Sequence, residues 1–354
     1  MPTSTPGGRG MSGRVLGLLA LVTALAVGGA WYVRQPVPEP APQSDDSRFL
    51  PGLADRLPSV SAIRVRIAGG RLLAHVVRDD DAWRVRNRSD YPANRETLRG
   101  TLIALSEARR EDAKTDRVDG WGRLGLRPIE DPEADGVELT LEGLDPAPRI
   151  IIGKSAGGDT GGTYLRLASD QDARAWLVSE PIERPAEIGD WLDDRLTAIL
   201  IERMRSVEIG ARDGEPVRVA RVEPRSRQFE IANRPEGRRP LSNSIARSIA
   251  RIVSDLRLTD VHPGASVDLP PLLAETRFET LDGLRVVVEA FAAERRQGPR
   301  YIRLSAVVDG DAGDAVREQA DTLNRRFDGW LYEIPEYKFV NMTHTLEGVL
   351  EEAR

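Results

Sequence analysis

Apolar and polar positions alternate strictly over residues 63–67 (IRVRI), which predicts a β-strand with one buried face. A glycine pair at 69–70 and an aspartate triplet at 79–81 are turn signals. Residues 72–77 and 83–85 have the composition of two more short strands. Because only short turns separate the three strands, we expect an antiparallel meander.

A helical period follows the meander. Asn94 is suited to the N-cap position, because its side chain can accept hydrogen bonds from the free N–H groups of a first turn. Leu98, Leu102 and Leu105 recur at helical spacing and form one apolar stripe. We therefore predict a helix that begins after Asn94. More strands are expected at residues 137–141, 149–152, 163–167 and 175–178.

The second half of the chain repeats the order of the first half. Residues 164–167 (YLRL) are echoed by residues 301–304 (YIRL). Residues 175–181 (AWLVSEP) are echoed by residues 329–335 (GWLYEIP). An alternating run, an aromatic strand and an amphipathic helix also recur upstream in the same order. The helix is predicted from Ile245, Ile249, Ile252, Val253 and Leu256, with Ser242 or Asn243 as its cap.

This repeat predicts an α+β fold that is mainly antiparallel. Two repeated sheet units, at residues 59–198 and 199–354, would each be covered by one helix, because a sheet and an amphipathic helix both have one apolar side to bury. Strands of the second unit are expected at residues 207–209, 217–222, 229–231, 278–281, 284–288, 301–307 and 329–334. A short terminal helix is expected at residues 342–353.

An apolar segment precedes the folded units. Residues 15–33 (VLGLLALVTALAVGGAWYV) contain no charge, and as a helix they would span about 28 Å, close to the thickness of a bilayer core. Arg9 and Arg14 precede the segment, which by the positive-inside rule leaves residues 1–14 in the cytoplasm. We therefore expect a transmembrane helix that anchors the chain in a bacterial inner membrane, with the bulk in the periplasm. The alternative is a signal peptide cleaved near the small residues 27–30.

Residues 34–58 are expected to form a linker. In the first part of residues 35–47 (QPVPEPAPQSDDS), proline recurs at every second or third position, which favours the extended polyproline II conformation. Such a linker would hold the folded units away from the membrane.

Composition excludes several classes of function. The 50 basic and 56 acidic residues give a net charge of −6, which is unlike a nucleic-acid-binding protein. The chain has no cysteine, so thiol catalysis, disulfides and cysteine-based zinc sites are excluded.

The sequence also gives no support for catalysis. Residues 153–155 (GKS) end a predicted strand, but a P-loop needs a glycine where Pro148 stands and a helix afterwards. Residues 153–157 match the Gly-x-Ser-x-Gly pattern, yet a nucleophile elbow also needs a following helix and a paired histidine. The histidines His75, His262 and His344 carry no motif. We expect no enzyme activity, cofactor or metal, and a hydrolase that uses Ser155 is a minor alternative.

Two loops are the candidates for contact with a partner. One is the glycine-rich hairpin that contains Gly157, Gly158, Gly161 and Gly162, and its counterpart in the repeat contains Arg295 and Arg296. The other is the segment around Trp121, which we expect to be an exposed loop. Trp83, Trp176 and Trp330 alternate with polar neighbours in strands, so we expect them to pack in the core.

Several segments resemble the DUF4340 family, a domain of unknown function in bacterial membrane-anchored proteins. The resemblance covers about residues 48–200 and is carried by Phe49-Leu50-Pro51-Gly52-Leu53, the Trp83 strand, Tyr91-Pro92-Ala93-Asn94, Ala113-Lys114-Thr115, Leu124-Gly125-Leu126, Ile152-Gly153-Lys154, Thr163-Tyr164-Leu165-Arg166 and Trp191-Leu192-Asp193. Asn94 stands where the family is expected to have aspartate, which keeps the capping role. The resemblance implies a periplasmic accessory subunit linked to gliding-motility-type ABC transporters. It implies no catalytic residues.

Two hypotheses for function follow. The first is a non-enzymatic membrane-anchored scaffold or accessory protein, with a membrane partner such as an ABC permease and no nucleic-acid partner. The second is a periplasmic ligand-binding module for glycan or another envelope polymer, which would use a cleft between the two units and the Trp121 segment.

Overall fold

The structure, a computed structural model, describes residues 47–157, 161–168, 174–223, 226–293, 298 and 300–352. The predicted anchor at residues 15–33 lies outside the described residues, as do the predicted cytoplasmic segment and most of the linker. No helix within the described ranges has the length and apolar character needed to cross a membrane. The fold described below is that of the compact unit formed by residues 48–354.

The first sheet contains nine of the strands in the described part of the chain, and all of its pairings are antiparallel. Its strands are β1 (Ala62–Ile67), β2 (Arg71–Asp79), β3 (Ala82–Val85), β4 (Tyr91–Pro92), β5 (Arg110–Ala113), β6 (Val137–Glu142), β7 (Arg149–Ser155), β8 (Thr163–Leu167) and β9 (Ala175–Val178). Their order across the sheet is β4-β3-β2-β1-β6-β7-β8-β9-β5. The predicted meander is therefore present, and β5 is an edge strand that the sequence did not predict.

The second sheet contains eight strands from the described part of the chain. A short β10 (Arg195–Thr197) precedes it and pairs with β14 (Leu256–Arg257) instead of joining either large sheet. The second sheet is built from β11 (Met204–Ala211), β12 (Val217–Arg221), β13 (Phe229–Ile231), β15 (Asp260–Pro263), β16 (Leu272–Thr280), β17 (Leu284–Ala292), β18 (Arg300–Val308) and β19 (Trp330–Glu333). The order is β13-β12-β11-β16-β17-β18-β19-β15.

The two orders correspond strand for strand, apart from the added edge strand β4. In each sheet a meander is extended by four later strands, and a strand that comes after the meander's helix in the chain pairs with the last of these four. That edge strand is β5 beside β9 in the first sheet and β15 beside β19 in the second. Residues 164–167 and 301–304, which resemble each other in sequence, lie in the corresponding strands β8 and β18.

The helices of the described ranges are short or of medium length. They are α1 (Leu53–Arg56), α2 (Arg95–Glu107), α3 (Val118–Leu124), α4 (Ile188–Trp191), α5 (Ile245–Ala250), α6 (Asp314–Phe327) and α7 (Glu336–Asn341). Together with the two large antiparallel sheets they confirm the prediction of a mixed α+β fold with few helices. Asn94 caps α2 as predicted, since its side chain accepts from the backbone N–H groups of Glu96 and Thr97, both at 3.1 Å.

The helices differ from the sequence prediction in several respects. Helix α6 was not predicted and packs against β18 and β17, so the second sheet is contacted by both α5 and α6. Its many polar residues obscure the helical spacing of its apolar residues in the sequence. The side chain of Asn324 accepts from the N–H of Ala306 and donates to its C=O, both at 2.8 Å, which holds the helix to β18. The helix predicted at residues 342–353 is wrong, because α7 ends at Asn341 and only a 3₁₀ turn (Glu347–Val349) follows. The residue before α5 is Ser244, not the predicted Ser242 or Asn243, and its side chain makes no cap bond.

One hydrophobic core runs through both sheets. It includes Ile63 and Leu139 from the first sheet, Phe278 from the second, and Trp191 and Leu192 from the segment that connects them. These five side chains are fully or almost fully buried. Because one core spans both sheets, the two repeated parts support each other's folding.

Candidate binding cleft

The N-terminus of α2 is fastened to the segment that connects the two sheets. The N–H of Asn94 donates to the C=O of Trp191 at 2.9 Å, and the N–H of Asp193 donates to the C=O of Pro92 at 2.9 Å. Ala93 and Leu192 form an isolated antiparallel bridge. These backbone bonds place Asp193, Asp194 and β10 beside the first turn of α2.

A cleft of about 540 Å³ lies at this junction. Its walls come from β3, β4 and α2 on one side and from β10, β14 and the end of α6 on the other. The residues that line it are Ala82, Trp83, Arg84, Pro92, Ala93, Asn94, Arg95, Glu96, Asp193, Asp194, Arg195, Arg257 and Arg326. Three segments that carry the family resemblance, those at Trp83, Pro92 and Asp193, meet in this cleft.

The cleft has more basic than acidic side chains. Two of its three carboxylates are neutralised within the cleft: Asp193 pairs with Arg326, and Asp194 pairs with Nη1 of Arg257 at 3.0 Å. The hydrogen bond that Arg257 donates to Asp194 is also the main cause that raises the pKa of Arg257. The cleft is therefore a polar site with surplus guanidinium groups.

An aromatic cluster lies directly behind the cleft. The ring of Tyr91 meets the ring of Trp330 at 5.1 Å and that of Tyr332 at 6.4 Å, both edge-on. The Tyr332 hydroxyl donates to the C=O of Arg326 at 3.0 Å, and the Tyr91 hydroxyl donates to the C=O of Asp193 at 3.4 Å. Burial raises the pKa of both tyrosines, so they remain neutral donors that hold two cleft segments in place.

A second cluster, on β15 and β19, has the residue types of a metal site. Ligand atoms of Asp260, His262 and Glu333 lie within 4.8 Å of one another. However, both carboxylate oxygens of Asp260 already accept from Arg88, at 2.6 and 2.9 Å, and His262 lies 2.8 Å from Glu333. A cation would have to displace Arg88, so the arrangement fits an ion-pair link between the sheets better than a metal centre.

Trp121 does not lie on an exposed loop, and that expectation is wrong. It belongs to α3 and is only 5% exposed. Its ring packs under the guanidinium carbon of Arg166 at 4.0 Å, beside Leu126, Ile151 and Ala175 on the outer face of the first sheet. The sequence around Trp121 is rich in glycine and charged residues, which is typical of an exposed loop. Its burial depends on residues of other strands, so the local sequence did not predict it.

The predicted contact residues of the two hairpins are only partly described. Gly157 and Gly161 are exposed, whereas Gly162 is buried against the C=O of Val178. Gly158, Arg295 and Arg296 lie outside the described residues. Their role as partner contacts stays a prediction.

Ser155 lies at the exposed end of β7, and the described chain continues into β8 rather than into a helix. Lys154, its neighbour, pairs with Asp135 at 3.2 Å. This geometry is unlike that of a P-loop or a nucleophile elbow.

The arginines of the cleft were not singled out from the sequence. They stand far apart, at positions 84, 95, 195, 257 and 326, so no local motif connects them. The only local sign was the cap at Asn94, beside which Arg95 begins the helix.

The fold and the cleft together define a protein of two linked antiparallel sheets with a polar site at their junction. In comparisons with known proteins, the family described as DUF4340, a domain of unknown function, matches residues 83–271, which is more than half of the 354 residues. The chain therefore belongs to the DUF4340 family. The match extends past residue 200 into the second sheet. The resemblance seen in the sequence covered only about residues 48–200. No curated protein matches the chain, and no solved structure matches it.

Proposed function

We propose that this protein is a non-enzymatic accessory or scaffold protein, anchored in a bacterial inner membrane with its folded part in the periplasm. Its partner is an integral membrane protein, and an ABC-type permease is the partner that the family resemblance favours. The observation that carries this proposal is the repeat of one sheet order in two sheets that share one hydrophobic core.

A shared core makes the two sheets one body with extended outer surfaces. Such a body suits a protein that holds others in a fixed relation, because binding partners to it requires little ordering of the scaffold itself. The uncharged segment at residues 15–33 and the proline-rich linker would supply attachment and distance from the bilayer.

The anchoring is tested by cell fractionation of the full chain. Wild-type protein is expected in the membrane fraction after carbonate washing. Leu21→Arg/Leu25→Arg should move it out of that fraction, because an arginine at the centre of a span costs about 2.5–3.5 kcal/mol. Leu21→Ile/Leu25→Ile is the matched control and should remain membrane-bound. Release of the wild-type chain by carbonate would refute the anchor.

The accessory role is tested by cross-linking in membranes, followed by purification in mild detergent. A permease and its ATPase should co-purify with the wild-type chain. A protein that runs alone both after cross-linking and without it would contradict the accessory role.

The cleft supports a second candidate, a periplasmic module that binds glycan or another envelope polymer. Its volume of about 540 Å³ is in the usual range of ligand sites, and Trp83 provides an apolar wall beside polar groups. A thermal-shift screen of the full chain against cell-wall fragments tests this function. A shift with none of the fragments would count against it.

A further inference from the structure

We propose that the cleft between the two sheets binds an anionic ligand that carries at least two carboxylate or phosphate groups, with Arg95 and Arg195 as the main contacts. This inference rests on the second candidate function and names the chemistry of its ligand. It follows from an unbalanced set of charges in a cavity, in a protein whose net charge is −6.

The imbalance remains after the ion pairs are counted. The lining contains five arginines and three carboxylates. Asp193 and Asp194 are already paired with Arg326 and Arg257. Arg84 faces Asp79 at 3.4 Å, outside the lining. Within the described residues, the side chains of Arg95 and Arg195 have neither a hydrogen bond nor an ion pair, and the remaining opposite charge in the lining is that of Glu96.

The position of Arg195 is unfavourable without a ligand. In the β10–β14 pair, Arg195 lies directly opposite Arg257. Like charges at opposed positions of an antiparallel pair destabilise it. Arg257 is compensated by Asp194 at 3.0 Å and by Asp255 at 2.9 Å, whereas Arg195 has no such neighbour in the described part of the chain. A bound anion would provide the missing compensation.

Helix α2 adds to the positive potential of the cleft. Arg95 is its first residue, and the partial positive charge of a helix N-terminus favours an anion nearby. The side chain of Asn94 already satisfies the N–H groups of Glu96 and Thr97. The ligand would therefore be held by the guanidinium groups, which bind carboxylate and phosphate through paired N–H donors.

The size of the cleft indicates more than a single inorganic ion. A volume of about 540 Å³ has room for a body that joins two charged groups, and Trp83 offers a flat apolar surface to it. An acidic saccharide and a phosphorylated molecule share this chemistry, and separate probes distinguish them.

The test is calorimetric titration of the full-length protein in mild detergent at low salt. The probes are digalacturonate, which carries two carboxylates, inorganic pyrophosphate, and the neutral disaccharide digalactose. We expect digalacturonate or pyrophosphate to bind, the neutral sugar not to bind, and added salt to weaken the binding. The better of the two anionic probes identifies the carboxylate or the phosphate source.

Arg95→Gln/Arg195→Gln should weaken binding of the anionic probe about a hundredfold, or about tenfold for each lost charge-assisted contact. Arg99→Gln/Arg247→Gln is the matched control: both residues are exposed, neither has a described partner, and neither lines the cleft. The control should bind as the wild type does.

Arg195→Gln should in addition raise the midpoint of thermal unfolding of the ligand-free protein, because it removes the repulsion from Arg257. If Arg195 had a purely structural role, the substitution would lower this midpoint. Equal affinity of the Arg95/Arg195 variant and the wild type, or failure of both anionic probes to bind, would overturn the inference. Binding of digalactose as tight as that of digalacturonate would also overturn it, while leaving the ligand-binding function itself intact.

Discussion

The ring of Tyr91, on the edge strand β4 of the first sheet, meets the indole of Trp330, on β19 of the second sheet, at 5.1 Å between centroids and 88° between planes. This edge-to-face contact joins the two sheets directly behind the cleft. The corresponding tryptophan of the first sheet, Trp176, instead stacks with Arg110 at 5.0 Å. The same repeat position therefore makes an inter-sheet joint in one copy and a local contact in the other.

A double-mutant cycle measures this joint. Tyr91→Leu and Trp330→Leu should each destabilise the fold, and their effects should couple by about 0.5–1.5 kcal/mol, as expected for an aromatic pair. The measurement is the free energy of unfolding in urea. A cycle of Tyr91→Leu with Trp176→Leu is the control and should be additive. A coupling in the control as large as that of the joint would contradict this description.

The ion pair of Arg88 and Asp260 is a second link between the sheets. Its side chains are 26% and 17% exposed, and the guanidinium binds both carboxylate oxygens. Arg88→Ala should lower the free energy of unfolding by about 1.5–3 kcal/mol, because a partly buried charged hydrogen bond is lost. Arg117→Ala removes an exposed pair and should change it by less than about 0.5 kcal/mol. Equal effects of the two substitutions would rule out a special role for Arg88.

Arg166 and Arg303 occupy equivalent positions of the repeat and should differ in their effect on stability. Arg166 is 4% exposed above Trp121, whereas the side chain of Arg303 is 46% exposed beside Phe291 at 5.2 Å. A desolvated cation–π contact contributes about 2 kcal/mol and an exposed one about 0.5–1 kcal/mol.

Arg166→Gln should therefore cost more in the free energy of unfolding than Arg303→Gln, measured by chemical denaturation of both variants. The reverse order would show that the cover formed by α3 does not exclude water from Arg166.

Gly162 and Gly157 of the predicted contact hairpin should respond differently to alanine. A Cβ at Gly162 would clash with the C=O of Val178, whereas a Cβ at Gly157 would have no atom of the described residues within 4 Å. Gly162→Ala should destabilise the protein by about 1–3 kcal/mol through overpacking, while Gly157→Ala should be nearly neutral. Thermal unfolding of the two variants provides the comparison. An unchanged midpoint for Gly162→Ala would show that β8 and β9 can separate at little cost.

His344 should make the stability of the fold depend on pH. Burial lowers the pKa of His344 below its ordinary value of 6.5. The unfolded chain then binds a proton more readily than the folded chain does, so this contribution is complete above pH 6.5 and is lost as the pH falls below it.

The free energy of unfolding in urea should fall less between pH 7.5 and pH 5 for His344→Gln than for the wild type. His262→Gln is the comparison variant, because it removes a histidine from a different position, 2.8 Å from Glu333. An equal loss in the wild type and His344→Gln would contradict a titrating role for His344.

Much of the fold could be predicted from local patterns. The strands of the meander, the cap at Asn94 and the repeated order of strands depend on alternation and on hydrogen bonds between near neighbours. The edge strands β5 and β15 could not be predicted in this way: β5 (REDA) is mostly charged, and β15 (DVHP) is short and ends in proline. Only pairing with β9 and β19 makes them strands. Helix α6 was missed for a related reason, since Asn324 and a few apolar residues hold it to β18.

The candidate site was the least predictable part. Trp121 lies in a segment that reads as a loop, yet it is buried because Arg166 from β8 lies above its ring. Arg95, Arg195 and Arg257 are spread over the chain, and only the packing of α2 beside the β10–β14 pair places them around one cavity.

By itself the sequence determined the α+β character of the fold, its antiparallel strands and its internal repeat, because these follow from the spacing of apolar residues and from turn and cap residues close along the chain. Only the tertiary structure decided that the two sheets share one core, that Tyr91 and Trp330 join them, and that an arginine-rich cleft lies at the junction. Contacts between residues a hundred or more positions apart depend on how complete sheets pack, and no local sequence pattern specifies such contacts.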